Sequence, residues 1–229
     1  MKYLAPGQIT TIIGLPRSGK TMFAAKIAKI NEREFDWIVS THDMELKPDM
    51  FEHAKVVNLT VEEIFAWKWD NTLFILDEGS LNGLDSRSFQ KNFAGEHGAR
   101  MLATLKTLGH SGNAAIITNH GMNDTDGKIR DSLSGTFFRA RGRVLWWCFL
   151  EQLTIDYQYV PEQGKYVPVI DDCGSLVGLI SGAYHFVLRR KWGRYYDSYT
   201  IPPILAALPH YGEAKSKGRR PFIVGKEDK

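Results

Sequence analysis

Gly14-Leu15-Pro16-Arg17-Ser18-Gly19-Lys20-Thr21 sets two glycines, a lysine and a threonine at the spacing G-x-x-x-x-G-K-[ST], the Walker A form of a phosphate-binding loop. Glycines let such a backbone curl until its N–H groups face a phosphate, and the helix that follows aims its positive end at the same point. Lys20 would reach the β- and γ-phosphates of a nucleotide, and Thr21 would hold Mg2+. The phosphate cradle is therefore assigned to Gly14, Pro16, Arg17, Ser18, Gly19, Lys20, Thr21 and Met22. A second string, Asn71-Thr72-Leu73-Phe74-Ile75-Leu76-Asp77-Glu78, runs four large apolar residues into two carboxylates, as a buried parallel strand does when it delivers acids at its C-terminal edge. This is a Walker B pattern, in which Asp77 would orient Mg2+ through its water shell and Glu78 would take a proton from the attacking water. A third apolar run, Ala114-Ala115-Ile116-Ile117-Thr118, ends at once in Asn119-His120, a polar tip able to sense a γ-phosphate or to report its loss to a neighbouring subunit.

These residues need strands and helices to bring them together. Gln8 to Ile13 is β-branched and apolar enough for a buried strand, and Met22 to Ile30 has helical spacing within a helix from Thr21 to about Arg33. Phe35 to Ser40 reads as a second strand ending in Thr41-His42-Asp43, followed by a polar loop. Thr60-Val61-Glu62-Glu63 matches a capping box, so a short helix is predicted over Val61 to Trp67 with Ile64, Phe65 and Trp67 turned inward. Asp85 caps a long helix to about Leu108, with the stripe Ala99, Leu102, Leu105 and Leu108 facing the core and Gly95 and Gly98 weakening its first half. Asn123 to Leu133 reads as another short helix with Ile129 and Leu133 inward. Beyond Thr136 the pattern turns to strands: Thr136 to Ala140, Arg143 to Leu150, Gln152 to Val160, Tyr166 to Ile170 after a turn, and Tyr184 to Leu188, with Tyr195 to Tyr199 closing the ordered part. The expected fold is α/β, a mostly parallel central sheet flanked by helices and extended by antiparallel strands in the second half.

With 229 residues, 43% of them hydrophobic, the chain can bury a substantial core. Its longest apolar run, Val144 to Leu150, is far short of the roughly 20 residues needed to span a bilayer, and no signal-peptide pattern opens the sequence, so a soluble intracellular protein is expected. Cys148 and Cys173 have no metal-type spacing and read as small core residues, which argues against a disulfide framework or a structural zinc. The net charge is +3, and the stretch from Glu213 onward carries it by itself, six basic residues against three acids. Two more basic clusters, Arg139/Arg141/Arg143 and Arg189/Arg190/Lys191/Arg194, lie in the second half; such clusters are either a nucleic-acid footprint or a solvated face. Trp146, Trp147, Tyr157, Tyr159, Trp192, Tyr195 and Tyr196 leave the same choice between base stacking and packing of a sheet.

Walker A, a Walker B ending in Asp77-Glu78, and a later apolar strand with a polar tip together resemble P-loop NTPases of the RecA/ASCE-like division, which place an extra strand between the two Walker strands. The loop form Gly-x-Pro-x-Ser-Gly-Lys-Thr, His110-Ser111-Gly112 before the third strand, and Tyr196-Asp197-Ser198-Tyr199 resemble the FtsK-HerA superfamily. Within it, roughly residues 5 to 200 are similar to the genome-packaging ATPases of membrane-containing viruses and to the Zot-like assembly ATPases of filamentous phages. The resemblance implies a Mg-dependent ATPase with ATP and Mg2+ as cofactors, working as a homo-oligomeric ring on double-stranded DNA, with a capsid or portal-vertex protein as partner, in the host cytoplasm or the virion. Pattern and composition divide the chain into an expected ATPase domain over residues 1–212, with a core at about 5–140 and an antiparallel extension at about 136–200, and a basic flexible tail over 213–229.

Two departures stand out. The family's third strand usually ends Thr-Gln after an upstream Arg-His pair, whereas here the tip is Thr118-Asn119-His120 and Gly109 precedes His110. His120 or Asn119 would take the glutamine's part, and the trans-acting arginine is left open among Arg100, Arg139 and Arg141. Zot-like proteins carry a transmembrane segment after the ATPase domain, and its lack in this sequence tilts the reading from virion extrusion toward packaging. A nucleoside kinase of the thymidine-kinase type also joins a Ser-Gly-Lys-Thr loop to a strand ending Asp-Glu, but that family's four-cysteine zinc element cannot be made from two cysteines. A nucleotide-gated scaffold with little turnover is the non-enzymatic alternative.

Overall fold

The computed structural model describes residues 4–79, 96–121, 136–144, 146–160, 165–171 and 184–197. Strand β1 (Ile9–Gly14) leads through the glycine-bearing loop into α1 (Lys20–Asn31), and β2 (Trp37–Thr41) follows. Next come β3 (Glu45–Leu46), β4 (Lys55–Leu59), α2 (Val61–Ala66), β5 (Thr72–Leu76), α3 (Glu96–Lys106) and β6 (Ala114–Asn119). The second half adds β7 (Phe137–Val144), β8 (Trp147–Val160), β9 (Lys165–Asp171), β10 (Tyr184–Leu188), the short α4 (Arg189–Trp192) and β11 (Tyr196–Asp197).

The main sheet has the order β10-β8-β7-β1-β6-β5-β2-β4, with β9 paired to β8. From β7 to β4 every neighbour is parallel, whereas β8 runs antiparallel to β7, β9 and β10. β6 thus lies between β1 and β5, the extra-strand order expected from the sequence. Parallel pairing carries the C-terminal ends of β1, β5 and β6 to one edge, where the register sets Ile13 beside Asn119 and Leu76 beside Ile117.

Both faces of the central strands are covered, and the period of two along each strand sorts side chains between them. Leu73, Ile75, Ala114, Ile116 and Ile12 pack with Phe23, Ala24, Ile27 and Ala28 of α1. Phe74, Leu76, Ala115, Ile117, Ile9 and Ile13 pack on the opposite face with Ile64 and Phe65 of α2 and Met101 and Leu105 of α3. Phe138, Cys148, Leu150 and Val187 from β7, β8 and β10 continue the α1 face, so the antiparallel part shares its core with the parallel part. Among the described residues no helix is long and apolar enough to cross a membrane.

Several expectations need correction. The polar loop after Asp43 contains β3 and β4; β4 forms the sheet edge beside β2, and its half-exposed Val56 and Val57 sit between Lys55 and Asn58, which hide the strand signal. Trp67 is 69% exposed. Trp69 takes the inward place, edge-on to Trp37 and Phe74, its Nε1 donating to the Ile64 carbonyl at 2.7 Å. On α3, Ala99 is exposed and Met101 is buried, because the buried stripe runs through Met101, Leu105 and Leu108. Thr136 to Ala140 and the start of the expected next strand are one strand, β7, with a bulge between Ala140 and Gly142. Trp192 and Tyr195 are buried and pack against one another, Tyr195 also against Phe51, so these two aromatics fill the core. Asp85, Gly95, Cys173, the helix expected over 123–133 and the tail fall outside the described residues, as do the side chains of Tyr157 and Tyr159.

Phe23 is fully buried, with its ring centroid 4.8 Å from that of Phe138 in an edge-on contact that ties α1 to β7. Phe23→Ala is expected to cost about 3–5 kcal/mol of unfolding free energy, the usual range for a large aromatic removed from a core. Urea denaturation checks it, and a loss below about 1 kcal/mol would mean that α1 does not depend on this contact.

Candidate nucleotide site

The geometry of the loop between β1 and α1 rests on two glycines at positions where a Cβ would collide with neighbours. Gly14 has φ 154°, and a Cβ there would meet the Ala140 carbonyl at 2.8 Å and Ser18 Oγ at 2.9 Å. Gly19 sits left-handed at φ 103°, where a Cβ would come within 2.6 Å of Cys148 Sγ. Gly19 also precedes α1 without any side-chain cap, which leaves the first N–H groups of a 12-residue helix turned toward the loop. Ser18 is buried, and its hydroxyl has no hydrogen-bond partner among the described residues. Leu15, Pro16 and Arg17 form the exposed crest, with Arg17 at φ 62°, and Met22 is buried just inside the helix.

Lys20 is buried at the helix start and its Nζ donates to the carbonyls of Gly14 at 2.9 Å and Leu15 at 3.2 Å. Burial pulls its pKa down, and the neighbouring Asp77 and Glu78 carboxylates partly restore it. Thr21 Oγ1 donates to the Asp77 carboxylate at 3.0 Å. That carboxylate is 3% exposed and also accepts from Thr118 Oγ1, while the Asp77 N–H donates to Thr41 Oγ1 at 3.1 Å. Burial raises the Asp77 pKa to about 6, against the pull of the hydrogen bonds from Thr118 and Thr21.

Glu78 leaves the strand at φ 47°, its N–H donating to Thr118 Oγ1 at 3.0 Å. Its carboxylate lies 3.9 Å from His120 Nε2, and His120 Nδ1 lies 3.4 Å from Lys20 Nζ. The structure therefore gathers Lys20, Thr21, Asp77, Glu78 and His120 at one edge. Asn119 is buried in β6 beside Ile13, and strand alternation sets it on the face opposite Thr118. Of the three arginines considered for a role in trans, Arg141 donates from Nε to Glu151 Oε2 at 2.7 Å, Arg139 is half-buried on β7, and Arg100 is exposed on α3.

Thr118 and Thr41 were not singled out from the sequence. A threonine as the last residue of an apolar strand is a weak signal; it gains meaning only when the register places its hydroxyl on an adjacent carboxylate. The donor set fits Mg2+, since the Thr21 hydroxyl and the Asp77 carboxylate are hard oxygen ligands already in contact. Among the described residues no group of three or more His, Cys, Asp or Glu could hold a metal alone. A Mg2+ ion here would complete its shell with phosphate oxygens and water, its usual habit in nucleotide sites.

No protein-family model and no curated protein sequence matches the chain. Among solved structures it is similar to the N-terminal domain of zonular occludens toxin from Neisseria meningitidis, at 17% identity and TM-score 0.49, over 76% of this chain and 97% of that one. It is also similar to the flagellar accessory protein FlaH from Methanocaldococcus jannaschii, at 10% identity and TM-score 0.46, over 74% and 92%. A third is B204, the DNA-packaging ATPase from Sulfolobus Turreted Icosahedral Virus, at 14% identity and TM-score 0.42, over 72% and 98%.

The Asp77 carboxyl titrates near 3.8 as a free group and near 6 in the fold, so the folded protein binds this proton more tightly. Stability is then highest below pH 4 for this group and is lost as pH rises through 6, by on the order of 2–3 kcal/mol. Without nucleotide or Mg2+, Asp77→Asn is expected to be about 2 kcal/mol more stable than the parent at pH 7, with the gap closing below pH 4. Urea midpoints across that range check it, and a gap that does not vary with pH would remove burial as the dominant cause.

Proposed function

We propose that the chain is a Mg-dependent ATPase that hydrolyses the terminal phosphoanhydride of ATP. The observation that carries this is the hydrogen bond between Thr21 at the head of α1 and Asp77 at the end of β5, 3.0 Å long, with Glu78 and His120 beside Lys20. It sets the residues that would bind phosphate and metal next to the carboxylate that would act on water. Bound with the nucleotide, Mg2+ would supply charge neutralisation on the phosphate oxygens. Lys20 would exchange its two carbonyl contacts for charge-assisted bonds to phosphate, and Thr21 and Asp77 would hold the metal shell. Glu78 would take a proton from water as the water oxygen bonds to the γ-phosphorus and the bond to the β–γ bridging oxygen breaks. His120, within reach of both Lys20 and Glu78, is the group that would register the state of the γ-phosphate.

The work to which hydrolysis is coupled is, in this reading, the movement of viral double-stranded DNA into a capsid by a ring of such subunits. The sequence resemblance to packaging ATPases supports it, and so does the exposed run of cations Arg189, Arg190, Lys191 and Arg194.

Glu78→Gln is expected to keep ATP binding while slowing turnover by about 10²- to 10⁴-fold, the usual contribution of a general base. Unchanged turnover would remove Glu78 from the reaction. Lys20→Ala is expected to weaken ATP binding by about 1.5–3 kcal/mol in a direct titration, the worth of hydrogen bonds to a charged group. Stimulation of turnover by double-stranded DNA would support the motor, and indifference to DNA would count against it.

A further inference from the structure

A cleft of about 550 Å3 opens beside the first turn of α1, in the size range of small-molecule sites. Met22, which directly follows the metal-side Thr21, forms one wall. The β7–β8 turn supplies Trp146, and the segment after β10 supplies Arg189, Arg190, Tyr196 and Asp197. These walls are anchored to the phosphate loop. Ala140 of β7 packs on Gly14, and Cys148, two residues beyond Trp146, packs on Gly19. The Arg189 N–H donates to the Trp146 carbonyl at 2.9 Å, which locks the turn to α4.

Trp146 is 67% exposed, an indole that the core does not use. An aromatic ring, a second aromatic in Tyr196, cations and a carboxylate line this cleft together with Met22, the residue that follows Thr21 in α1. We propose that this cleft is the nucleoside subsite, where the base of the bound triphosphate stacks on Trp146. The proposal rests on the nucleotide-binding reading and deepens it, because the phosphate loop binds any triphosphate and the cleft would decide which nucleoside is held. A flat π-surface suits any base, whereas Asp197 as an acceptor favours bases that carry an exocyclic amino group.

The test is calorimetric titration of the full chain with ATP and with inorganic tripolyphosphate, both with Mg2+. Trp146→Ala is expected to weaken ATP binding by about ten-fold, in keeping with base–aromatic stacking, and to leave tripolyphosphate binding unchanged. Trp146→Phe, which keeps a ring, is expected to restore most of the ATP affinity. Unchanged ATP affinity in Trp146→Ala, or an equal loss for ATP and tripolyphosphate, would overturn the subsite. So would a variant that loses binding to a single-stranded oligonucleotide while holding ATP normally, since the ring would then serve nucleic acid. Lys20→Ala separates the two readings: it must weaken both ligands if the phosphate loop is real, whatever Trp146 does.

Discussion

One buried carboxylate fixes how the central elements sit. Asp77 accepts from Thr21 on α1 and Thr118 on β6, and its N–H is received by Thr41 at the end of β2. Four elements thereby converge on one residue, each through a threonine hydroxyl or, for β5, through Asp77 itself. Removing a carboxylate from water is costly, and two hydroxyl donors offset part of that cost, which is why burial still leaves the pKa near 6. The same arrangement enforces register. A slip of one residue along β5 would turn the carboxylate to the α2–α3 face and bring an apolar side chain against the two hydroxyls that now donate to it.

The antiparallel strands belong to the site as much as the parallel ones do. β7 runs beside β1 so closely at Ala140 that position 14 has no room for a Cβ, and β8 brings Cys148 against Gly19. Phe23 of α1 meets Phe138 of β7 and His185 of β10, where burial and then the Lys26 charge hold the imidazole pKa down. The phosphate loop is therefore braced from outside by strands more than a hundred residues away in sequence. Glycine is required there by the space these strands leave as well as by the turn itself.

The parts legible in the sequence were those where backbone demands dictate residue type. Gly14 and Gly19 announce a loop because few other residues satisfy its dihedrals, and β5 and β6 announce themselves because strands covered on both faces must be apolar throughout. The capping box at Thr60 and Glu63 was equally plain and forms as read. What stayed hidden depends on partners far along the chain. Val56 and Val57 mark a strand only beside β2, Trp69 and not Trp67 is inward because of where Trp37 lies, and Thr118 acquires a role only once β6 stands next to β5. Likewise, the cleft joins residue 22 to residues 146 and 189–197, a juxtaposition no local pattern encodes.

Glu78 shows how backbone strain is put to use. A non-glycine residue at φ 47° costs on the order of 1–3 kcal/mol, and such conformations persist only where neighbours over-determine them. Here Thr118 does so from both ends: its hydroxyl receives the Glu78 N–H at 3.0 Å and its carbonyl receives the Gly79 N–H at 2.8 Å. The chain is turned sharply off β5, and the Glu78 carboxylate comes to His120 without following Asp77 into the core. His120 in turn lies against Lys20, whose ammonium is occupied by two carbonyls of its own loop. Any anion that draws Lys20 off those carbonyls must also change what His120 touches, and His120 is the neighbour of Glu78. The three side chains thus form a short line of contacts from the loop before α1 to Glu78, and Thr118 is the fixed point that holds both carboxylates in position along it.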